Sequence, residues 1–333
     1  MAGFKDILGN DFMKEQFQHA VETGHISHAY LLEGEKGMGK KTFAEAFSLM
    51  LLCENRGKEE DACLDCPCCK KILSHNHPDV IYVTHEKADS ISVDEIRLQL
   101  NDTIGIRPYE GKWKIYIVPE ADRMTQQAQN ALLKTLEEPP EYAVIFLLVN
   151  DIQKMLPTVL SRVTRIKLKP RTDNQIRAYL TEHYDMQPGD ERLDISVAFA
   201  RGNLGKAIAL LTDESFYVWY HEALKLCRGI KHMDTAGISA EVAILRQKCP
   251  DLQELLRLLQ LWYRDLMMYK VTKDMNGLVF GNERKTLMEL ASVSSYEGIE
   301  EIMEDIENCG RRLRANVNPE LALELLFLNM KEK

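Results

Sequence analysis

The apolar residues of this chain follow two rhythms, and the change between them falls near residue 170. Before it, short continuous apolar runs alternate with stretches whose apolar residues recur every three or four positions. Continuous runs suit strands buried on both faces, as in a parallel sheet with helical crossovers. They predict strands at residues 29–32, 80–84, 115–118, 144–149 and 165–168. The periodic stretches predict helices near residues 41–53, 93–103 and 125–138. Ser92 and Glu95 form a capping box for the second. Asp122 is expected to cap the third, and Pro139-Pro140 ends it because proline cannot continue a helix.

After Lys169-Pro170-Arg171 nothing reads as strand. Residues 171–212 predict a short helical segment holding the turn Arg201-Gly202-Asn203-Leu204-Gly205. The remainder is helical and apolar. Leu252, Leu255, Leu256, Leu259 and Tyr263 recur at the spacing of a packing face. Asn318-Pro319 predicts a cap and first position for a helix over 320–330. The pattern is therefore an α/β half followed by an all-α half.

Residues 34–42 read Gly-Glu-Lys-Gly-Met-Gly-Lys-Lys-Thr between a predicted strand and a predicted helix. In the phosphate-binding pattern G-x-x-x-x-G-K-[ST], glycines let backbone amides wrap phosphates, the lysine neutralises charge and the final hydroxyl holds Mg²⁺. Gly34, Gly37, Gly39 and Lys40 are in place, but Lys41 occupies the hydroxyl position and Thr42 comes one residue late. That residue points about 100° further round the helix. A second strand should end in an aspartate that also holds the metal; the strand 115–118 is followed by Pro119. Glu120 stands where a water-activating carboxylate would be, and without its metal-binding neighbour it reads as a solvated turn residue. Both metal-holding groups are missing, so the loop is expected not to support hydrolysis. Whether it still holds ATP or ADP is left open by the residues.

Five of eight cysteines crowd between residues 53 and 69. Cys53, Cys63, Cys66 and Cys69 have the spacing of a closed tetrahedral Zn²⁺ site, with a structural role. Cys68 is an alternative to Cys69, although the repeated two-residue spacing favours Cys69. The surroundings are charged and offer no evident apolar core. His75 and His77 are surplus to four sulfurs and read as ordinary loop histidines.

Composition narrows the picture only slightly. Lys and Arg number 42 against 51 Asp and Glu, a net charge of −9, which argues against a broad basic face for nucleic acid. No signal-peptide pattern opens the chain, and the longest apolar run, 144–149, is too short to span a bilayer. A cytoplasmic location is expected, with no membrane partner.

The loop 34–42, the cysteine quartet, the segment Ala128-Gln-Asn-Ala-Leu-Leu-Lys-Thr-Leu-Glu-Glu-Pro-Pro140 and the pair Ser161-Arg162 come in the order found in bacterial clamp-loader AAA+ proteins. The chain resembles that family along essentially its whole length. The resemblance implies three domains: a RecA-like AAA+ parallel-sheet domain over 1–169 with a zinc module near 53–69, a small helical lid over 170–212, and a helical collar over 213–333. Two kinds of subunit share these motifs, an ATP-hydrolysing gamma/tau motor and a non-hydrolysing stator. The motor has Thr or Ser in place of Lys41, Asp in place of Pro119, and a nucleotide-sensing arginine in place of Gly205. Residues 27–31 and 91–97 resemble the stator, and the chain stops at 333 without the long C-terminal extension of tau.

The resemblance thus implies a stator of the DNA polymerase III clamp loader, a five-subunit ring that opens a sliding clamp and loads it on primed DNA. The motor is the alternative. No independent enzyme activity is expected. The implied partners are gamma/tau and delta subunits, with the sliding clamp and primed DNA reached through the complex. By resemblance Arg162 acts in trans on a neighbour's ATP. Val163 stands where the family usually has cysteine.

Overall fold

The computed structural model describes residues 3–56, 61–87, 89–275 and 277–333. Residues 57–60 of the expected zinc module lie outside the described residues. The strands are β1 (Ala29–Glu33), β2 (Val80–Tyr82), β3 (Lys114–Val118), β4 (Ala143–Val149) and β5 (Thr164–Lys167). All neighbours are parallel, in the order β2-β3-β4-β1-β5.

Every residue of β4 is buried, because the sheet is covered on both faces. Alternation sends Val144, Phe146 and Leu148 to one side, where they meet Phe17, Phe43 and Phe47. Ile145, Leu147 and Val149 go to the other, against Leu132 and Leu136. The first side carries α1 (Asp11–Thr23), α2 (Lys40–Leu52) and α3 (Pro67–Leu73), and the second carries α4 (Gln126–Glu137). Tyr30 stacks on Phe146 with ring centroids 5.4 Å apart. Removing such a ring costs about 3–5 kcal/mol.

The expected strands are present, with β2 shorter than the run that predicts it. The helix expected over 93–103 runs as Val93–Ile96, a π-type stretch Arg97–Asn101 and Asp102–Ile104. Its capping box is formed, with Ser92 Oγ accepting from the Glu95 amide and Glu95 accepting from the Ser92 amide. Asp122 does not cap α4. Thr125 does, accepting from the Ala128 amide at 3.2 Å. Asp122 lies in the 3₁₀ turn Ala121–Arg123, which aims its carboxylate back at the end of β4. There it accepts from the backbone and side-chain amides of Asn150 at 2.9 and 3.3 Å.

The chain forms two compact units. The first comprises residues up to Gln175 together with Gly202–Lys206; the second comprises Ile176–Arg201 and Ala207–Lys333. Residues 171–212 form three helices, α5 (Asp173–Tyr184), α6 (Glu191–Ala200) and α7 (Leu204–Thr212). They are followed by α8 (Glu214–Gly229), α9 (Thr235–Lys248), α10 (Leu252–Thr272), α11 (Arg284–Val293), α12 (Tyr296–Arg314) and α13 (Pro319–Glu332). Leu255, Leu256, Leu259 and Tyr263 of α10 are buried with Trp262, as the periodicity predicts. Asn318 caps α13 by accepting from the Glu320 amide. Among the described residues no helix is long and apolar enough to cross a membrane.

Candidate functional site

The phosphate-type loop joins β1 to α2 at the carboxyl ends of the strands, where parallel sheets place ligands. Gly37 and Gly39 have φ of 92° and 89°, which a side chain would strain. Lys40 folds back over the loop. Its ammonium donates to the carbonyls of Gly34 and Glu35 and to Asn150 Oδ1, the last two at 2.9 Å. Burial pushes its pKa down, against the pull of Asp122, Glu120 and Glu35. Asn150 thus links Lys40 to Asp122. The sequence marks Asn150 only as the polar residue ending the apolar run 144–149, and this network lies beyond that signal.

Lys41 turns toward its own helix. Its ammonium lies 3.7 Å from Glu45 and 5.2 Å from the centre of the Tyr82 ring, and Tyr82 donates to Glu45 at 3.0 Å. A cavity of about 370 Å³ is lined by Gly37, Gly39, Lys40, Lys41, Thr42, Pro119, Glu120 and Asn150 among others. Gly34 packs beneath the loop, where a Cβ would touch Leu168 and Met38 at 3.5 Å. Glu120 is a partly exposed turn residue that is also ion-paired. It adopts a left-handed φ of 49°, and its carboxylate is 3.0 Å from Arg123 and 3.9 Å from His85.

The turn 202–206 closes on the same loop. The Gly205 amide donates to Gly37 O at 3.0 Å, and Asn203 Nδ2 donates to Lys36 O at 2.8 Å. A Cβ on Gly205 would stand 2.6 Å from Gly37 O, so the contact requires glycine. Arg171 is buried beside it, donating to the carbonyls of Leu8, Met38 and Lys169. Lys40 and the carbonyls of Lys36 and Gly37 are therefore bonded from within the unit.

Cys53, Cys63, Cys66 and Cys69 converge, with all four sulfurs within 4.8 Å of one another. Amides donate to three of them: Cys63 N to Cys53 Sγ at 3.3 Å, Cys66 N to Cys63 Sγ at 3.3 Å and Cys69 N to Cys66 Sγ at 3.4 Å. Amide donors favour thiolate over thiol. Those of Asp65 and Cys66 bring Cys63 down to about 7, whereas burial pushes Cys53 and Cys69 up. Zn–S bonds of about 2.3 Å put the sulfurs of a tetrahedral site about 3.8 Å apart, so the quartet fits a zinc ion. Cys68 turns away and donates to Glu54 at 3.2 Å.

The expected absence of an apolar core under these cysteines is corrected. Cys66, Cys68, Cys69 and Ile72 are buried in the cluster that includes Phe47, because α3 lies against α2. Cys68, His77 and Glu110 also approach within 4.8 Å. The Asp79 amide donates to His77 Nδ1 at 3.1 Å, so the ring proton is on Nε2 and that nitrogen offers no lone pair to a cation. His77 is a buried histidine, not the loose loop residue its position suggests.

Arg162 follows the short helix Pro157–Leu160. Its guanidinium is half-exposed, pairs with Glu137 at 2.8 Å and donates to Thr158 O at 2.9 Å and Ser161 Oγ at 3.1 Å. Such a surface pair contributes at most about 1 kcal/mol, so the arginine is cheaply released. Arg165 lies in β5, 3.8 Å from Glu33.

Two family models match the chain: "DNA polymerase III, delta subunit" over residues 9–172 and "DNA polymerase III, delta subunit, C terminal" over 221–332. The delta' subunit of Bacillus subtilis is 29% identical, and the match covers 94% of each chain. The tau subunit of the same organism is 26% identical over 98% of this chain but 61% of its own. A gamma subunit-related protein of Thermotoga maritima aligns over 96% of this chain and 98% of its own, with 21% identity and a TM-score of 0.44. The chain belongs to the DNA polymerase III delta-subunit family of clamp-loader proteins.

Proposed function

We propose that the chain is the delta' stator of the DNA polymerase III clamp loader and does not hydrolyse ATP. The observation that carries this reading is the chemistry around the phosphate loop. Lys41 stands where a metal-binding hydroxyl is needed and is paired with Glu45, and Pro119 replaces the second oxygen ligand. Lys40 and the amides around Gly34, Gly37 and Gly39, with Thr42 at the helix start, offer nucleotide phosphates a cradle with little need of Mg²⁺. The four thiolates of Cys53, Cys63, Cys66 and Cys69 hold a structural Zn²⁺, which cross-links α2 to α3 and leaves no open coordination position.

In this reading residues 1–169, 170–212 and 213–333 serve as AAA+ domain, lid and collar. The gamma/tau and delta subunits are its neighbours in the cytoplasm, and it reaches the sliding clamp and primed DNA through the complex. Arg162 leaves Glu137 and places its guanidinium on the γ-phosphate of an adjacent motor, where such fingers contribute about 10³–10⁵ in rate.

The motor reading is favoured by the matches to gamma and tau subunits, one of them along 98% of this chain at 26% identity and another 34% identical over 53% of it. Steady-state ATP turnover by the purified chain separates the two. The stator reading expects none above background, and turnover abolished by Lys40→Ala would make the chain a motor.

A further inference from the structure

A second cavity, of about 450 Å³, lies wholly within the helical unit. Arg201 from the end of α6, Arg257 from α10, and Arg311 and Arg314 from α12 converge on it, with Gln253 and Gln260. Against these four guanidinium groups stand two carboxylates, Glu254, which pairs with Arg257 at 3.1 Å, and Glu307 on the rim. Arg311 and Arg314 make only amide contacts, to Asn308 and Gln253, and Arg201 has no ion-pair partner among the described residues. In a chain with a net charge of −9, this is a concentrated positive site.

Helix dipoles account for some of these residues one at a time. Arg311 and Arg314 stand in the last turn of α12, and Arg201 ends α6, where cations are favoured. Arg257 lies in the second turn of α10, where the dipole offers a cation no stabilisation. Nor do dipoles explain why three helices deliver like charges to one cavity. Arg201 adopts a left-handed φ of 50°, which glycine takes freely and arginine does not. Gly310, buried on α12, lines the cavity between Leu256, Gln253 and Arg314.

We propose that this cavity binds the phosphodiester backbone of a single nucleic-acid strand without reading its bases. Guanidinium forks match phosphate oxygens two bonds at a time. Pockets for small organic ligands are mostly apolar, and this one is lined by charged and amide side chains over Leu256 and Ile306. Neither an aromatic shelf for a base nor an apolar anchor for a peptide is among its lining residues. Backbone contacts need neither.

The test is a titration of labelled oligothymidylate with the full chain at rising salt. Wild type is expected to bind, with log K falling by about 0.7 per unit log salt for each phosphate neutralised. Arg201→Gly relieves backbone strain and is expected to leave the melting temperature unchanged or raised. Combined with Arg311→Gln it should weaken binding at least about tenfold and flatten the salt slope by about 1.4. Arg246→Gln, which removes an exposed arginine paired with Glu320 outside the cavity, should bind as wild type. Absence of strand binding by wild type, or equal affinity in the double variant, would overturn the proposal. So would displacement of the strand by equimolar pyrophosphate, or loss in the double variant of glutamate-rich peptide binding alone.

Discussion

The phosphate loop and the cysteine quartet both sit on α2, at its opposite ends, and they treat a missing ligand in opposite ways. At the start of α2 Lys40 bonds two loop carbonyls and Asn150, and Gly37 O and Lys36 O take donors from the turn 202–206. At the end of α2 four sulfurs face one another, with backbone amides as their principal donors. The first site can rest without nucleotide. The second is a set of four converging sulfurs in which burial holds Cys53 and Cys69 toward the thiol, a penalty that a bound divalent cation would remove. The comparison teaches that an intact outline is a poor guide to chemistry. The loop keeps its glycines and lysine and has lost the oxygens, whereas the quartet keeps every donor.

The largest expected effect falls on the quartet. One zinc per chain is expected by elemental analysis, and Cys66→Ser should abolish it and raise amide exchange in the described residues from 61 to 77. Exchange in α8 to α13 should not change. Because α3 is packed against α2, the segment should loosen rather than detach. Purified protein without metal would break the comparison at the quartet.

A smaller effect is expected at the loop. Gly205→Ala puts a Cβ 2.6 Å from Gly37 O and should push the turn off the loop, at about 1–3 kcal/mol in denaturant unfolding. An unchanged midpoint would mean that the loop does not depend on the turn for its partners.

The smallest effect is a pH dependence. Burial lowers the pKa of Lys40 below the 10.5 of the unfolded chain, so between the two values the unfolded state binds more protons. The Lys40 contribution therefore makes stability rise with pH across that window, and the penalty for burying the charged form is full below it. Lys40→Met should flatten the rise in unfolding midpoints from neutral pH to 10.5. Parallel curves for the two proteins would show that Lys40 is not held in a desolvated site.

Much of this was legible in the sequence, for physical reasons. Strands buried on both faces are written as continuous apolar runs, so β1, β3 and β4 were visible, and the glycines of the loop announce their backbone. The spacing of Cys53, Cys63, Cys66 and Cys69 announces convergence. Contacts between segments far apart in the chain were not visible. Asn150 on Lys40, Asn203 on Lys36 and Glu45 on Lys41 depend on the folded sheet bringing them together. Asp122 looked like a helix cap because caps are local, and it was drawn away by the end of β4. The apolar bed under α3 was hidden because its residues belong to α2, outside the cysteine segment.

In the proposed stator role the chain would contribute to ATP chemistry from its edge, through Arg162, and not from its own loop. The most direct measurement is DNA-stimulated ATP turnover by a clamp loader reconstituted with gamma/tau and delta subunits, comparing wild type, Arg162→Ala and Arg165→Ala. The complex carrying Arg162→Ala should assemble normally and turn over more slowly. The loss should be partial if several sites fire in the proposed ring, while Arg165→Ala, within β5, should stay near wild type. Undiminished turnover by a fully assembled Arg162→Ala complex would contradict the claim and leave Arg162 as a surface partner of Glu137.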